Sequence, residues 1–418
     1  MARRIVPPGG DDMTTSKKMH LPTSIWVLGV VSFLMDVSSE MIHSLLPLFL
    51  AGPLGVSAIA IGFLEGMAEG IALLLKVVSG ILSDFVGRRK PLAVVGYALG
   101  ALTKPLFAIA NGFGMVFLAR MVDRVGKGIR GAPRDALVAE ITPPETRGSA
   151  FGLRQGLDSL GAFSGPLLAF VLMFMWAGDF RRVFWLAVFP GALCVLLFVL
   201  YVHEPSTSIK PSKNKLFSLS QIRTLGKPFA QVLILGALFG TARFSEAFLL
   251  LHARTCGISV VYVPLVLATL NLVYGVTAYP FGRRSDHSNH HHLLAAGVVP
   301  LLIADIVLAL ATGPVLLFLG VAMWGLHMGM TQGLLSRMVA DASPANVRGT
   351  AFGLFHLTMG VTAFIGNLIA GIIWTVFKAM TLFIFGALLS LLLLLLIMRL
   401  SCCCHRPLVN AHNRSCSQ

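Results

Sequence analysis

Long apolar stretches separated by short polar breaks run through the whole chain, and their lengths decide what it can be. Twelve are visible, near residues 24–51, 58–83, 91–111, 114–140, 148–175, 182–203, 228–252, 258–281, 292–311, 314–337, 349–376 and 379–400. Each holds about 20 residues or more, enough for a helix to cross the hydrocarbon of a bilayer. No succession of alternating ten-residue segments argues for a β-barrel. The pattern predicts an all-α integral membrane protein with twelve transmembrane helices. The first stretch is too long for a signal sequence, and no cleavage pattern precedes it, so 1–22 reads as a cytoplasmic N-terminal tail.

Composition agrees: 56% of residues are hydrophobic and 12% charged, with mean hydropathy +0.81, against about 25% charged residues in soluble proteins. A net charge of +15 would ordinarily raise the question of nucleic acid. The basic residues instead crowd one set of loops, including Arg88, Arg89, Lys90, Lys210, Lys213, Lys215, Arg283 and Arg284. Only Arg181, Arg182, Arg254 and Lys378 fall in the other set. That asymmetry is the positive-inside pattern and predicts cytoplasmic termini in an inner (plasma) membrane. No nucleic-acid partner is expected. Cys194 and Cys256 are isolated and the other four cysteines sit near the C-terminus, so no disulfide framework is expected.

The chain repeats itself. "AEITPPETRGSAFGLR" at 139–154 matches "ADASPANVRGTAFGLF" at 340–355, and "GILSDFVGRRKPL" at 80–92 pairs with "GRRSDHSNHHHLL" at 282–294. Two matches at nearly one offset predict two pseudo-symmetric six-helix halves, 23–203 and 228–400. A cytoplasmic linker, 204–227, would join them, with a cytoplasmic tail at 401–418. Tandem halves of this kind are a transporter architecture, with the substrate site at mid-membrane between them.

The first copy of the second repeat resembles the signature loop between helices 2 and 3 of the major facilitator superfamily, G-x-L-x-D-R-x-G-R-[KR]. It matches at Gly80, Leu82, Asp84, Gly87, Arg88 and Arg89 and departs at Phe85. "RVGKGIRGA" resembles a motif of proton-coupled members, with Arg124 in place and Lys127 departing. "GAFSGPLLAF" resembles the antiporter motif at Gly161, Gly165 and Pro166, departing at Ala169 and Phe170. The resemblance implies a secondary transporter with no cofactor. Helices 1, 4, 7 and 10 would line its cavity. Its gate would involve the signature loop, Arg147 and their second-half counterparts Asp286 and Arg348. The partial antiporter motif implies export against protons. A monomer in the lipid bilayer is expected.

Charges inside the spans supply the candidate chemistry. A charge at mid-membrane costs roughly 2.5–3.5 kcal/mol or more, so those retained mark cavities and relays. At about 100° per residue, Asp36, Glu40 and His43 share one stripe of helix 1. Arg120, Arg124, Lys127 and Arg134 form a basic stripe on helix 4, and Arg124 is the expected partner of the helix 1 acids. Glu65 and Glu69 share a face of helix 2; two like charges one turn apart would leave one protonated. Arg243 and Glu246 are three apart on helix 7. Arg130, Arg134, Asp135 and Glu140 read as gate salt bridges, and His327 and His356 as hydrogen-bonded core residues. Helix 10 has lost the basic stripe, so its Met and Trp side chains are expected to form an apolar cavity wall.

An amphiphilic or partly charged small organic molecule suits such a cavity. The alternative is a divalent metal ion or metal chelate, suggested by "HSNHHH" at 287–292 and "CCCH" at 402–405. The first of these also reads as a degraded signature loop. No bound metal centre is assigned. No phosphate-binding loop or hydrolase motif occurs, so an enzyme is not expected.

Overall fold

The structure is a computed structural model and describes residues 21–86, 88–143, 146–204, 225–285, 290–331, 333–344 and 347–404. Its helices are α1 (Thr23–His43), α2 (Leu46–Ala51), α3 (Ala58–Val86), α4 (Lys90–Ile109), α5 (Phe113–Ile141), α6 (Arg147–Met175) and α7 (Phe180–Tyr201). These are followed by α8 (Lys227–Ala242), α9 (Ala247–Thr255), α10 (Pro264–Ser285), α11 (His290–Ala309), α12 (Pro314–Thr331), α13 (Leu334–Asp341), α14 (Arg348–Phe377) and α15 (Ala379–Cys404). No strand occurs among the described residues. Three pairs, α1–α2, α8–α9 and α12–α13, each make one broken span, so the fifteen α-helices among the described residues account for the twelve expected crossings.

Eleven of the crossings are long and apolar enough to span on composition alone. The twelfth, α5, is not, because it carries Arg120, Asp123, Arg124, Lys127, Arg130, Arg134 and Asp135. It survives in the membrane because α3 and α4 pack along it and shield it from lipid.

The breaks have local causes. Pro47 in the first turn of α2 has no N–H to donate back to α1 and blocks a continuous helix. Between α8 and α9, Arg243 leaves helical geometry at φ −96°, ψ 77°. The two breaks, at 44–45 and 243–246, occupy matching places in the sequence repeat.

In the first six spans α1 packs on α6 and α7, and α4 on α5 and α7. In the last six α11 packs on α12 and α15, and α8 on α14. Two seams join these groups, α3 on α14 and α6 on α10. The α3–α14 seam is held close by glycine. A Cβ on Gly66 would stand 2.9 Å from the Phe364 carbonyl oxygen, and one on Gly371 2.7 Å from that of Ala58. Small residues let helix backbones touch where lipid offers no hydrophobic drive.

The core is divided unequally. At the end holding the loops 52–57 and 110–112, one apolar cluster runs through both groups, joining Phe49, Phe107 and Phe184 to Phe248, Leu301 and Phe383. At the end holding the signature loop there are two clusters. One is built from Ile25, Tyr97 and Phe198, the other from Phe229, Leu335 and Phe355, and each stays within its own group. The molecule is sealed at one end and parted at the other.

Candidate functional site

A cavity of about 280 Å³ lies between the two groups of helices. Nine of the sequence-expected residues line it: Glu40, His43, Glu65, Glu69, Arg120, Arg124, Lys127, Arg243 and Glu246. The tenth, Asp36, does not. It lies one turn along α1 from Glu40, its Cβ against Gly161, and makes no ion pair or hydrogen bond among the described residues. Its charged neighbours are Asp158, Lys127 and Arg130. Of the two helix 1 acids expected to meet Arg124, Glu40 shares the cavity with Arg124 and Lys127, and Asp36 does not line it.

The antiporter-like glycines have a plain packing role. A Cβ on Gly161 would sit 2.7 Å from the Phe33 carbonyl oxygen, and one on Gly165 2.7 Å from the Glu40 Cβ. Their absence of side chains brings α6 hard against the acidic stripe of α1. Pro166 follows, buried in the same helix.

Within the cavity the charges form a chain. Arg120 Nη2 donates to Glu65 Oε2 at 2.8 Å, His43 Nε2 stands 3.8 Å from the same oxygen, and His43 Nδ1 stands 3.4 Å from Glu40 Oε2. Glu65 and Glu69 were expected to repel one another. The structure relieves that repulsion by giving Glu65 to Arg120 and leaving Glu69 exposed to the cavity. Arg124 is buried, and its Nε has no hydrogen-bond partner; its only ion pair among the described residues is the 3.6 Å contact with Asp123. Asp123 is already held by the buried Lys104 at 2.9 Å, which also donates to Ser39. Arg124 is thus a cation aimed at the cavity without a carboxylate of its own.

Arg243 and Glu246 lie at the break in the seventh span and make no ion pair with each other among the described residues. Arg243 instead lies over the Phe239 ring at 5.7 Å. Ser245 N donates to Asn367 Oδ1 at 2.6 Å, which ties the break to α14. Asn367, Ser245 and Asn271 line the cavity and were missed by sequence reasoning. A lone amide in an otherwise apolar span was the available signal.

The apolar wall exists, but helix 10 does not supply it. Phe239, Phe244, Leu267, Leu270 and Met359 do, from α8, the break, α10 and α14. Trp324 and His327 of α12 are fully buried behind them. Gly325 explains why: a Cβ there would stand 2.6 Å from the Leu270 carbonyl oxygen, so α10 covers α12 at contact distance. His327 is hydrogen-bonded as expected, to the Gly297 carbonyl at 2.7 Å. His356 makes no hydrogen bond among the described residues; it is half-buried and contacts the rings of Phe352 and Phe355.

The expected gate charges sort differently. Arg134, Asp135, Arg154 and Asp158 form one network between α5 and α6, with Arg154–Asp158 at 3.1 Å and Arg134–Asp135 at 3.1 Å. It lies inside the first group of helices rather than across a seam. Arg130 makes no ion pair among the described residues and lies over the Tyr97 ring at 5.0 Å.

At the signature loop, Gly80 touches Ala132 and Arg88 is exposed. Arg89 pairs with Glu140 at 2.7 Å. The backbone N–H groups of Arg89 and Lys90 donate to the Glu204 carboxylate. That places an anion at the N-terminus of α4, the favourable end of its dipole. Arg147 donates to the carbonyls of Ala139 and Thr142 and closes the end of α5. Gly87, Asp286 and His287 and the Asp84 and Arg348 side chains lie outside the described residues, as do the side chains of the C-terminal cysteine run. Among the described residues no three His, Cys, Asp or Glu side chains converge as a metal site.

Comparison with known proteins now decides the family. The family model of the Major Facilitator Superfamily matches residues 28–253 and 232–402. The chain belongs to that superfamily. It is 31% identical to an uncharacterized MFS-type transporter of Methanocaldococcus jannaschii, over 89% of this chain and 94% of that one. It is 24% identical to the quinolone resistance protein NorA of Staphylococcus aureus over 55% of this chain and 58% of NorA. The solved structure of a point mutant of the nucleoside transporter NupG superposes with a TM-score of 0.78 at 15% identity, covering 90% of this chain and 99% of that one. This facilitator is therefore a multi-pass membrane transporter of small molecules and not an enzyme.

Proposed function

We propose that this facilitator is a proton-coupled exporter of a small amphiphilic organic molecule that carries charge. The cavity composition is the observation that carries the reading. One wall offers the cations Arg124, whose only ion pair among the described residues is the 3.6 Å contact with Asp123, and Lys127, together with the acid Glu69; the other offers Phe239, Phe244, Leu267, Leu270 and Met359. An amphiphile satisfies both walls at once. The name of the relative NorA supports a drug-like class, and the partial antiporter motif supports export.

The chain Glu40–His43–Glu65–Arg120 supplies a route for protons. Imidazole is the side chain that ordinarily changes charge between pH 5 and 8, and this one bridges two carboxylates. Substrate drawn to Arg124 and protons drawn to this chain would compete, as antiport requires. A divalent metal has less support, because the same acids are already faced by Arg120, Arg124 and Lys127.

The basic loops support an orientation with both termini cytoplasmic in the plasma membrane. With that orientation the parted end faces the cytoplasm, and the state described is open inward. The halves 23–203 and 228–400 then rock as units about the α3–α14 and α6–α10 seams, and the transporter acts as a monomer.

The test is flux in proteoliposomes with and without an imposed pH gradient, beginning with quinolones. Glu40→Gln should abolish gradient-driven flux while keeping substrate exchange, and Arg124→Lys should lose binding because a point charge does not replace a guanidinium fork. Asp36→Asn, outside the cavity, should retain coupling. If Glu40→Gln and His43→Gln both keep full gradient-driven flux, protons do not travel through this chain.

A further inference from the structure

The two seams between the helix groups use small residues in opposite ways. On α3–α14 a Cβ at Gly62, Gly66 or Gly371 would collide with the facing backbone. On α6–α10 a Cβ at Gly152 or Gly156 would meet nothing within 4 Å. The small residues of α6 therefore do not bring the helices together. They open a groove of about 570 Å³, twice the volume of the central cavity.

The groove lies in two membrane-spanning segments, Arg147–Met175 and Val260–Arg284, and its rim is exposed and apolar. Val276 is 67% exposed and Tyr279 76%. In the membrane such a rim meets hydrocarbon, and the matter that fits an apolar groove there is a lipid chain. About one turn beyond Tyr279, the exposed Arg283 and Arg284 end α10. Basic residues at the end of a span attract anionic headgroups.

We propose that this groove binds one anionic phospholipid, with an acyl chain between α6 and α10 and the phosphate beside Arg283 and Arg284. The site has a mechanical consequence. Asn271 borders both the groove and the central cavity, and its Nδ2 donates to the Ala162 carbonyl across the seam at 2.9 Å. Below that bond, toward the signature-loop end, the groups of helices part. Closing that end would squeeze the chain out, so the lipid favours the parted state by its difference in affinity for the two states. This site depends on the membrane placement of the chain and not on the identity of its substrate.

The experiment uses the full chain in proteoliposomes containing phosphatidylglycerol with a photoactivatable diazirine in its acyl tail. After irradiation, labelled peptides are identified by mass spectrometry. Residues 152–163 and 271–279 should be labelled several-fold more than the lipid-facing surfaces around Leu102 and Phe189, which are 67% and 70% exposed. Excess unlabelled phosphatidylglycerol should suppress the signal and phosphatidylcholine should not. Gly156→Phe, which fills open space, should lower the labelling, and Arg283→Gln with Arg284→Gln should remove the headgroup preference. Seam labelling no higher than that of the Leu102 and Phe189 surfaces, or equal competition by the two lipids in the wild-type chain, overturns the proposal.

Discussion

Replacing Glu65 by Gln removes the carboxylate that holds Arg120 in the cavity wall. Both side chains are buried, at 7% and 5% exposure, and 2.8 Å apart. At an effective dielectric of about 20, two unit charges at that distance attract by about 6 kcal/mol. The measurable cost of breaking one half of a buried pair is about 3–5 kcal/mol, because the remaining ion is stranded. The two halves are not equivalent. A guanidinium stays charged, so Arg120 left alone has no relief. Glu65 left alone can take a proton or turn to His43, 3.8 Å away. Glu65→Gln should therefore cost about 4 kcal/mol and Arg120→Gln about 2 kcal/mol, while the double substitution leaves no stranded ion and costs about 1 kcal/mol. A loss of about 4 kcal/mol should lower Tm by several degrees. Thermal unfolding can be followed, in a background with Cys402, Cys403, Cys404 and Cys416 replaced by Ser, by the reactivity of the buried thiols Cys194 and Cys256 towards a fluorogenic maleimide. A double mutant that loses the sum of the two single losses would refute the reasoning, because independent sites add.

Three further outcomes follow from the same geometry. His43→Gln should flatten the dependence of transport rate on pH between about 5 and 8, where imidazole ordinarily changes charge; an unchanged pH profile in vesicle flux would remove His43 from the proton route. Gly66→Leu should block transport while leaving membrane insertion intact, because its Cβ meets the Phe364 backbone at 2.9 Å. Gly70→Ala, whose nearest contact is 3.4 Å, should stay active, and equal rates in the two variants would show that the α3–α14 seam does not govern rocking. Asp84→Asn should lower turnover with near-normal abundance if the signature loop latches one state; normal turnover in that variant would rule out the latch.

Apolar runs of spanning length, the loop asymmetry of Lys and Arg and the repeated segments made the helical architecture legible in the chain, because eleven of the twelve crossings carry the length and hydropathy that spanning requires, and only α5 depends on its neighbours to shield its charges. The same logic found the cavity acids and bases, since a charge is kept in lipid only where something answers it. What answers each charge was beyond that logic. Periodicity put Arg124 opposite the acids of helix 1, and Glu40 and Arg124 do share the cavity, but it could not see that Asp36 lies against Gly161 of α6 and away from the cavity lining. Periodicity likewise saw Met and Trp on the tenth span without seeing α10 packed over Gly325, which leaves Trp324 fully buried and the apolar cavity wall to Phe239, Leu267 and Met359. Pairing across a cavity depends on the relative depth and rotation of separate helices, set by contacts between residues far apart in the sequence, and a one-dimensional spacing rule carries no information about either.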